Sequence, residues 1–179
     1  QKAQRISIII NVGDDPAAAS GALEQTLNYR ASATIVLSGA PPAHMVRRCV
    51  EVGQSVILVN RADDLPDVRH ISIDYETAMR TAVQMFMRAE CRNIALVSRA
   101  VRTPSLLARE EFFTQFLSDH GIKLQIWRGA STTYETGQQA MRELLVGLNP
   151  PDGVFFINDL MACGGIDTAR REFKRRLPE

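Results

Sequence analysis

The chain has 179 residues, 45% hydrophobic and 23% charged, with 21 basic against 20 acidic side chains. Such a composition belongs to an ordinary globular protein and excludes collagen, coiled coil and disordered tail. A formal charge of +1 leaves no basic excess to neutralise phosphates, so this segment by itself is a poor nucleic-acid surface.

At about 150 residues per domain, the length predicts one domain or a pair of small lobes. No apolar run approaches the roughly 20 residues needed to span a bilayer, and the N-terminus lacks a signal-peptide pattern. The expectation is a cytoplasmic protein with no membrane role. Cys49, Cys91 and Cys163 are far apart with no C-x-x-C spacing, and His44, His70 and His120 lie elsewhere. That predicts no metal site, no disulfide framework, and reduced thiols that are buried or inert.

In chain order, ISIII (6 to 10) reads as a strand, residues 16 to 30 as a helix with Pro16 at its first position, and TIVL (34 to 37) as a strand. A helix over 43 to 52 ends at Gly53, and SVILV (55 to 59) follows as a strand, then the weaker candidate VRHISI (68 to 73). Asp74 caps a helix to about Ala89, in which Ala78, Met79, Ala82, Val83, Phe86 and Met87 recur at helical spacing. After IALV (94 to 97) comes a helix following Ser105, with Leu106, Phe112, Phe113, Phe116 and Leu117 as its stripe and Gly121 as its stop. The weaker strand IKLQIW (122 to 127), a helix over 134 to 147, the strand GVFFI (153 to 157) and a helix over 160 to 176, stopping before Pro178, complete the pattern.

Because the strong runs are apolar on consecutive residues, both sheet faces should be covered, as in a parallel sheet between helical layers. The fold class is therefore α/β, doubly wound. The two weaker strands belong nearer an edge or a crossing point. The polar stretch RADDLPDVRH (61 to 70) is either a boundary between two groups of βα units or a surface loop.

No phosphate-cradling glycine motif, nucleophile elbow or H-E-x-x-H pair occurs, which removes the common cofactor classes. What remains is a pattern at strand ends: Asn11, Ser38, Asn60, Ser98 and Asn158 bring uncharged hydrogen-bonding groups to the carboxyl edge, where ligands of open α/β sheets bind. Amides and hydroxyls suit a sugar, polyol or similar polar metabolite, although the same residues also favour turns and caps. Arg109 stands out because a cation in the first turn of its helix opposes the macrodipole. A ligand or a structural carboxylate such as Glu110 or Glu111 could compensate it. The basic cluster Arg170, Arg171, Lys174, Arg175 and Arg176 reads as cations complementing a helix C-terminus, not as a DNA surface.

With those residues in view, the chain resembles the effector-binding core of the lactose-repressor (LacI/GalR) family of bacterial transcription regulators. The resemblance is carried by VILVNR (56 to 61), HISIDYETA (70 to 78), RNIALVS (92 to 98), PSLLAREEFF (104 to 113) leading to FLSDHGI, and above all PPDGVFFINDLMACGGIDTAR (150 to 170). It implies a periplasmic-binding-protein-like fold of two βα lobes with a small-molecule effector in the cleft. The crossing near Ile73 and Asp74 would put residues 1 to 73 in one lobe and 74 to 179 in the other. Matched by position, Asn60, Arg109, Asn158 and Asp159 would contact effector; Asp74 lies at the crossing, and Ser105 and Thr132 line up near further pocket positions. Catalysis and cofactors are not implied. Partners would be a sugar-like effector, a second copy in a homodimer, and operator DNA.

Two departures stand out: Glu90-Cys91-Arg92 replaces the family's usual Gly-His-Arg, and Tyr75 stands where Asn is common. The family's helix-turn-helix, hinge helix, first core strand and helix, and closing strands have no counterpart in these residues. Two rival readings remain: a periplasmic sugar-binding protein of a transporter, and a small α/β hydrolase using Asp74 or Asp159 as acid or base.

Overall fold

A computed structural model describes residues 6–12, 16–37, 41–60, 65 and 67–177. The chain divides into two compact units, Gln1–Ile73 and Asp74–Glu179, and residues 61–64 of the polar stretch lie outside the described residues. Ser38 and Pro66 lie outside the described residues.

In unit 1, α1 (Pro16–Asn28), β1 (Ala33–Val36), α2 (Ala43–Glu51), β2 (Ser55–Val59) and β3 (Arg69–Ile71) follow one another. The sheet is parallel in the order β1-β2-β3, with Thr34 opposite Val56 and Leu58 opposite His70. Leu23 of α1 and Met45, Val46 and Cys49 of α2 pack on Val56 and Leu58, and Leu65 and Val68 close the cluster. Both helices thus lie on one side of the sheet. On the other side Ile35 is 62% exposed and Ile71 60%. The expectation that both faces are covered therefore fails for this sheet among the described residues.

The strand expected at 6 to 10 is also absent. Residues 6–12 carry no regular structure, and Ile6 and Ile9 are exposed. A strand exists only where its N–H and C=O groups find a ladder, and no described segment offers one to this run.

Unit 2 comprises α3 (Tyr75–Arg88), β4 (Asn93–Arg99), α4 (Pro104–Asp119), β5 (Lys123–Gly129), α5 (Tyr134–Val146), β6 (Gly153–Phe156) and α6 (Asp159–Arg171). Its parallel sheet runs β5-β4-β6. The central strand β4 is buried from Ile94 to Ser98, which is why it reads as a continuous apolar run, and β3 and β5 are edge strands as their polar interruptions predict.

On one face Phe113 of α4 meets Phe86 of α3 edge-on at 6.1 Å and stacks on Phe155 of β6 at 4.6 Å. On the other, the Trp127 indole N–H donates to Glu143 of α5 at 2.6 Å, and Gly165 of α6 lies against the Phe156 ring. The Pro-Asp of the most specific motif has a structural job here. The Asp152 carboxylate accepts from the amides of Arg92 and Asn93 at 2.8 and 2.9 Å, pinning the start of β4 beside β6.

Helix ends shift by one or two residues at several places, α1 stopping at Asn28 and not at 30, and two differences have a visible cause. The cap of α4 is Thr103, whose hydroxyl accepts from the Leu106 amide, and not Ser105. Helix α6 stops at Arg171, short of 176, because Lys174 turns into the left-handed region (φ 54) and the Arg175 amide returns to the Ala169 carbonyl. Of the three thiols, Cys49 and Cys91 are buried and Cys163 is exposed on α6, so the expectation of burial fails for the last. No described helix is long and apolar enough to cross a membrane.

Candidate functional site

All three strands of unit 2 are parallel, so their carboxyl ends and the starts of α4, α5 and α6 share one edge. Three of the sequence-predicted residues meet there. The Asn158 side chain caps α6, accepting from the Met161 amide at 2.9 Å, while its amide nitrogen donates to the Thr132 carbonyl at 3.3 Å. One bond fixes the helix start and the other ties it to the loop after β5. Arg109 Nη1 donates to the Ile157 carbonyl at 3.0 Å, one residue before Asn158.

The structural carboxylates considered for Arg109 are not its partners. It also lies in the second turn of α4, not the first, because the helix begins at Pro104; the expected dipole conflict is correspondingly smaller. Its guanidinium carbon stands 5.9 Å from the Tyr75 ring centroid, within cation–π range. The Arg109 Nε is buried without a hydrogen-bond partner among the described residues, a costly condition for a charged donor.

The remaining predicted residues are placed less centrally. Ser105 lies one turn before Arg109, its hydroxyl 3.1 Å from that of Thr103. Asp159 is exposed at the first position of α6, accepting from the Leu160 amide at 3.1 Å. Asp74 caps α3 through the Thr77 amide at 3.0 Å and hydroxyl at 2.7 Å. Those two bonds hold its carboxyl below the usual range, so it is an ionised cap with no acid chemistry to offer near neutrality. Asn60 belongs to unit 1; it follows β2 in the left-handed region (φ 59), and its backbone N–H donates to the Ile71 carbonyl at 2.9 Å. Ser98, read as an open strand-end hydroxyl, is fully buried and bonded to Glu110.

Two features escaped sequence reasoning. Tyr75 was visible only as a departure from a pattern, yet its ring flanks Arg109. Glu110 sits on the buried stripe Leu106, Glu110, Phe113, Leu117, and a lone carboxylate at i, i+4, i+7, i+11 of an apolar face was the available signal. Among the described residues, no group of three His, Cys, Asp or Glu could hold a metal ion.

An α/β unit with an amide, a hydroxyl-rich loop and an arginine gathered at the carboxyl edge of its sheet has the form of a small-molecule binding module. Residues 2–175 match the family described as periplasmic binding proteins and sugar binding domain of LacI family, and the chain belongs to that family. It is 27% identical over 152 residues to catabolite control protein A of Priestia megaterium, covering 83% of this chain and 46% of that protein. To the transcriptional repressor CytR of Escherichia coli it is 32% identical over 112 residues, 61% of this chain and 32% of the repressor. The chain thus spans less than half the length of these curated relatives. The fold is also that of a LacI family transcriptional regulator from Lactobacillus casei solved with bound glucose, with a TM-score of 0.80 at 22% identity, covering 94% of this chain and 64% of the other.

Proposed function

We propose that this chain is the effector-binding core of a cytoplasmic, homodimeric LacI-type transcription regulator whose effector is a sugar or similar polar metabolite. The observation that carries the reading is the convergence of Arg109, Asn158 and Thr132 at one sheet edge. Ser105, Asp159 and Asp74 are its proposed periphery, and Asn60 is the candidate contact in unit 1. CytR of Escherichia coli is a transcriptional repressor, and the Lactobacillus casei regulator of the same fold was solved with bound sucrose and with bound glucose. No bond-breaking step is needed. An effector that favours one conformation would bias operator binding by a coupling of about 1–3 kcal/mol, and DNA would alter effector affinity by the same factor.

The test is calorimetry on the full-length protein with a panel of sugars, sugar acids, sugar phosphates and nucleosides, followed by Arg109→Ala and Asn60→Ala with the ligand found. Loss of a hydrogen bond from a charged donor costs about 1.5–3 kcal/mol, so Arg109→Ala should weaken binding by roughly 10- to 150-fold. Unchanged affinity would remove Arg109 from the pocket. Turnover of any panel compound would replace this reading with a catalytic one.

A further inference from the structure

We propose that Glu110 is a positioning residue for Arg109: its buried carboxylate locks α4 onto two strands and thereby aims the neighbouring guanidinium at the end of β6. Glu110 is 6% exposed. One carboxylate oxygen takes the Ser98 hydroxyl of β4. The other accepts from Arg128 Nη2 of β5 at 2.7 Å and lies 3.6 Å from Arg102 Nη1 in the loop before α4. A single side chain thus joins the helix to β4, β5 and the loop that leads into the helix.

Buried ion clusters seldom add net stability over apolar residues of the same volume, because desolvation offsets the attraction. What this cluster does supply is direction, since three partners from three segments are satisfied together in only one rotation and height of α4. Arg109 is the preceding residue, about 100° around the same helix. A 20° rotation of α4 would carry an atom about 6 Å from the axis through about 2 Å, enough to break its 3.0 Å bond to the Ile157 carbonyl. Apolar packing of Leu106, Phe113 and Leu117 tolerates such slips more readily than fixed hydrogen bonds do.

The functional meaning of this clamp rests on the reading of Arg109 as a ligand contact; its geometry does not. The experiment uses the 179-residue chain with 15N-labelled arginine, following the Arg109 Nε–H cross-peak, assigned by its disappearance in Arg109→Lys. Glu110→Gln should shift or abolish that cross-peak. So should Glu110→Met combined with Arg128→Met, which removes both charges while keeping the volume filled. The double variant decides the matter where the single one fails to fold. Phe113→Leu, which loosens the same helix without touching the carboxylate, should leave the cross-peak in place. An Arg109 signal unmoved in the double variant, or moved equally in Phe113→Leu, overturns the assignment. Because the signal is read without ligand, it is separable from a failure of Arg109 to contact effector, which appears as unchanged calorimetric affinity in Arg109→Ala.

Discussion

Glu90 carries a φ of 58° at the end of α3, with the Cys91 amide returning to the Phe86 carbonyl. This is the left-handed helix stop at which glycine is at ease and a residue with a Cβ is strained by about 1 kcal/mol. The departure from the family's usual glycine at this place is therefore a built-in cost. Glu90→Gly should raise stability by up to about 1 kcal/mol, read as a higher urea midpoint with unchanged slope. Exposed carboxylates give a second residue-scale expectation. Asp74 is held down by Thr77, Glu143 by the Trp127 indole and then Gln139, and Glu172 by the Arg142 guanidinium. A carboxyl whose folded pKa lies below its unfolded value contributes stability that is complete above the unfolded value, about 4, and lost as pH falls through the folded one. Urea midpoints measured between pH 7 and pH 3 should thus stay level to about pH 5 and drop below about pH 4. Asp74→Asn, which keeps a capping oxygen, should flatten part of that drop.

Helices α5 and α6 approach each other through glycine. A Cβ on Gly137 would overlap the Met161 carbonyl, and one on Gly164 would overlap the Tyr134 carbonyl. Both obstacles are backbone, so the helices themselves must part. Gly137→Ala and Gly164→Ala should each cost roughly 1–3 kcal/mol or more, although alanine is the better helix former; thermal unfolding followed by circular dichroism decides the sign. The sequence made these elements readable because unit 2 satisfies its rules locally. Its central strand β4 is buried on both faces, and Asp74 and Asn158 cap the helices that follow them. Asn158 was legible for the same reason, since parallel strands bring their ends together, whereas Arg109 was marked by its place in a helix and Thr132 only by the family resemblance. The clamp at Glu110 was not, because its partners Ser98 and Arg128 meet only once β4 and β5 are in register. Residues 6 to 10 were misread for the opposite reason: β-branched composition states a preference, while a strand requires a neighbour.

At the scale of the whole chain, the two sheets differ in how they are covered. Unit 2 buries its central strand β4 on both faces, whereas unit 1 buries Leu58 completely beneath its helices and leaves Ile71 open on the reverse. Substitutions should divide accordingly. Leu58→Ala should lose about 2–5 kcal/mol through an unfilled cavity, while Ile71→Ser should change stability by no more than about 0.5 kcal/mol, both from equilibrium denaturation of the same preparation.

The thiols offer a practical handle of a different sort. Burial pushes the Cys49 and Cys91 thiols up and away from thiolate, so maleimide chemistry on the native chain should stop at one fluorophore, at Cys163. That dye would ride on the helix whose first turn Asn158 holds, giving an optical sensor of effector arrival without any engineered attachment point.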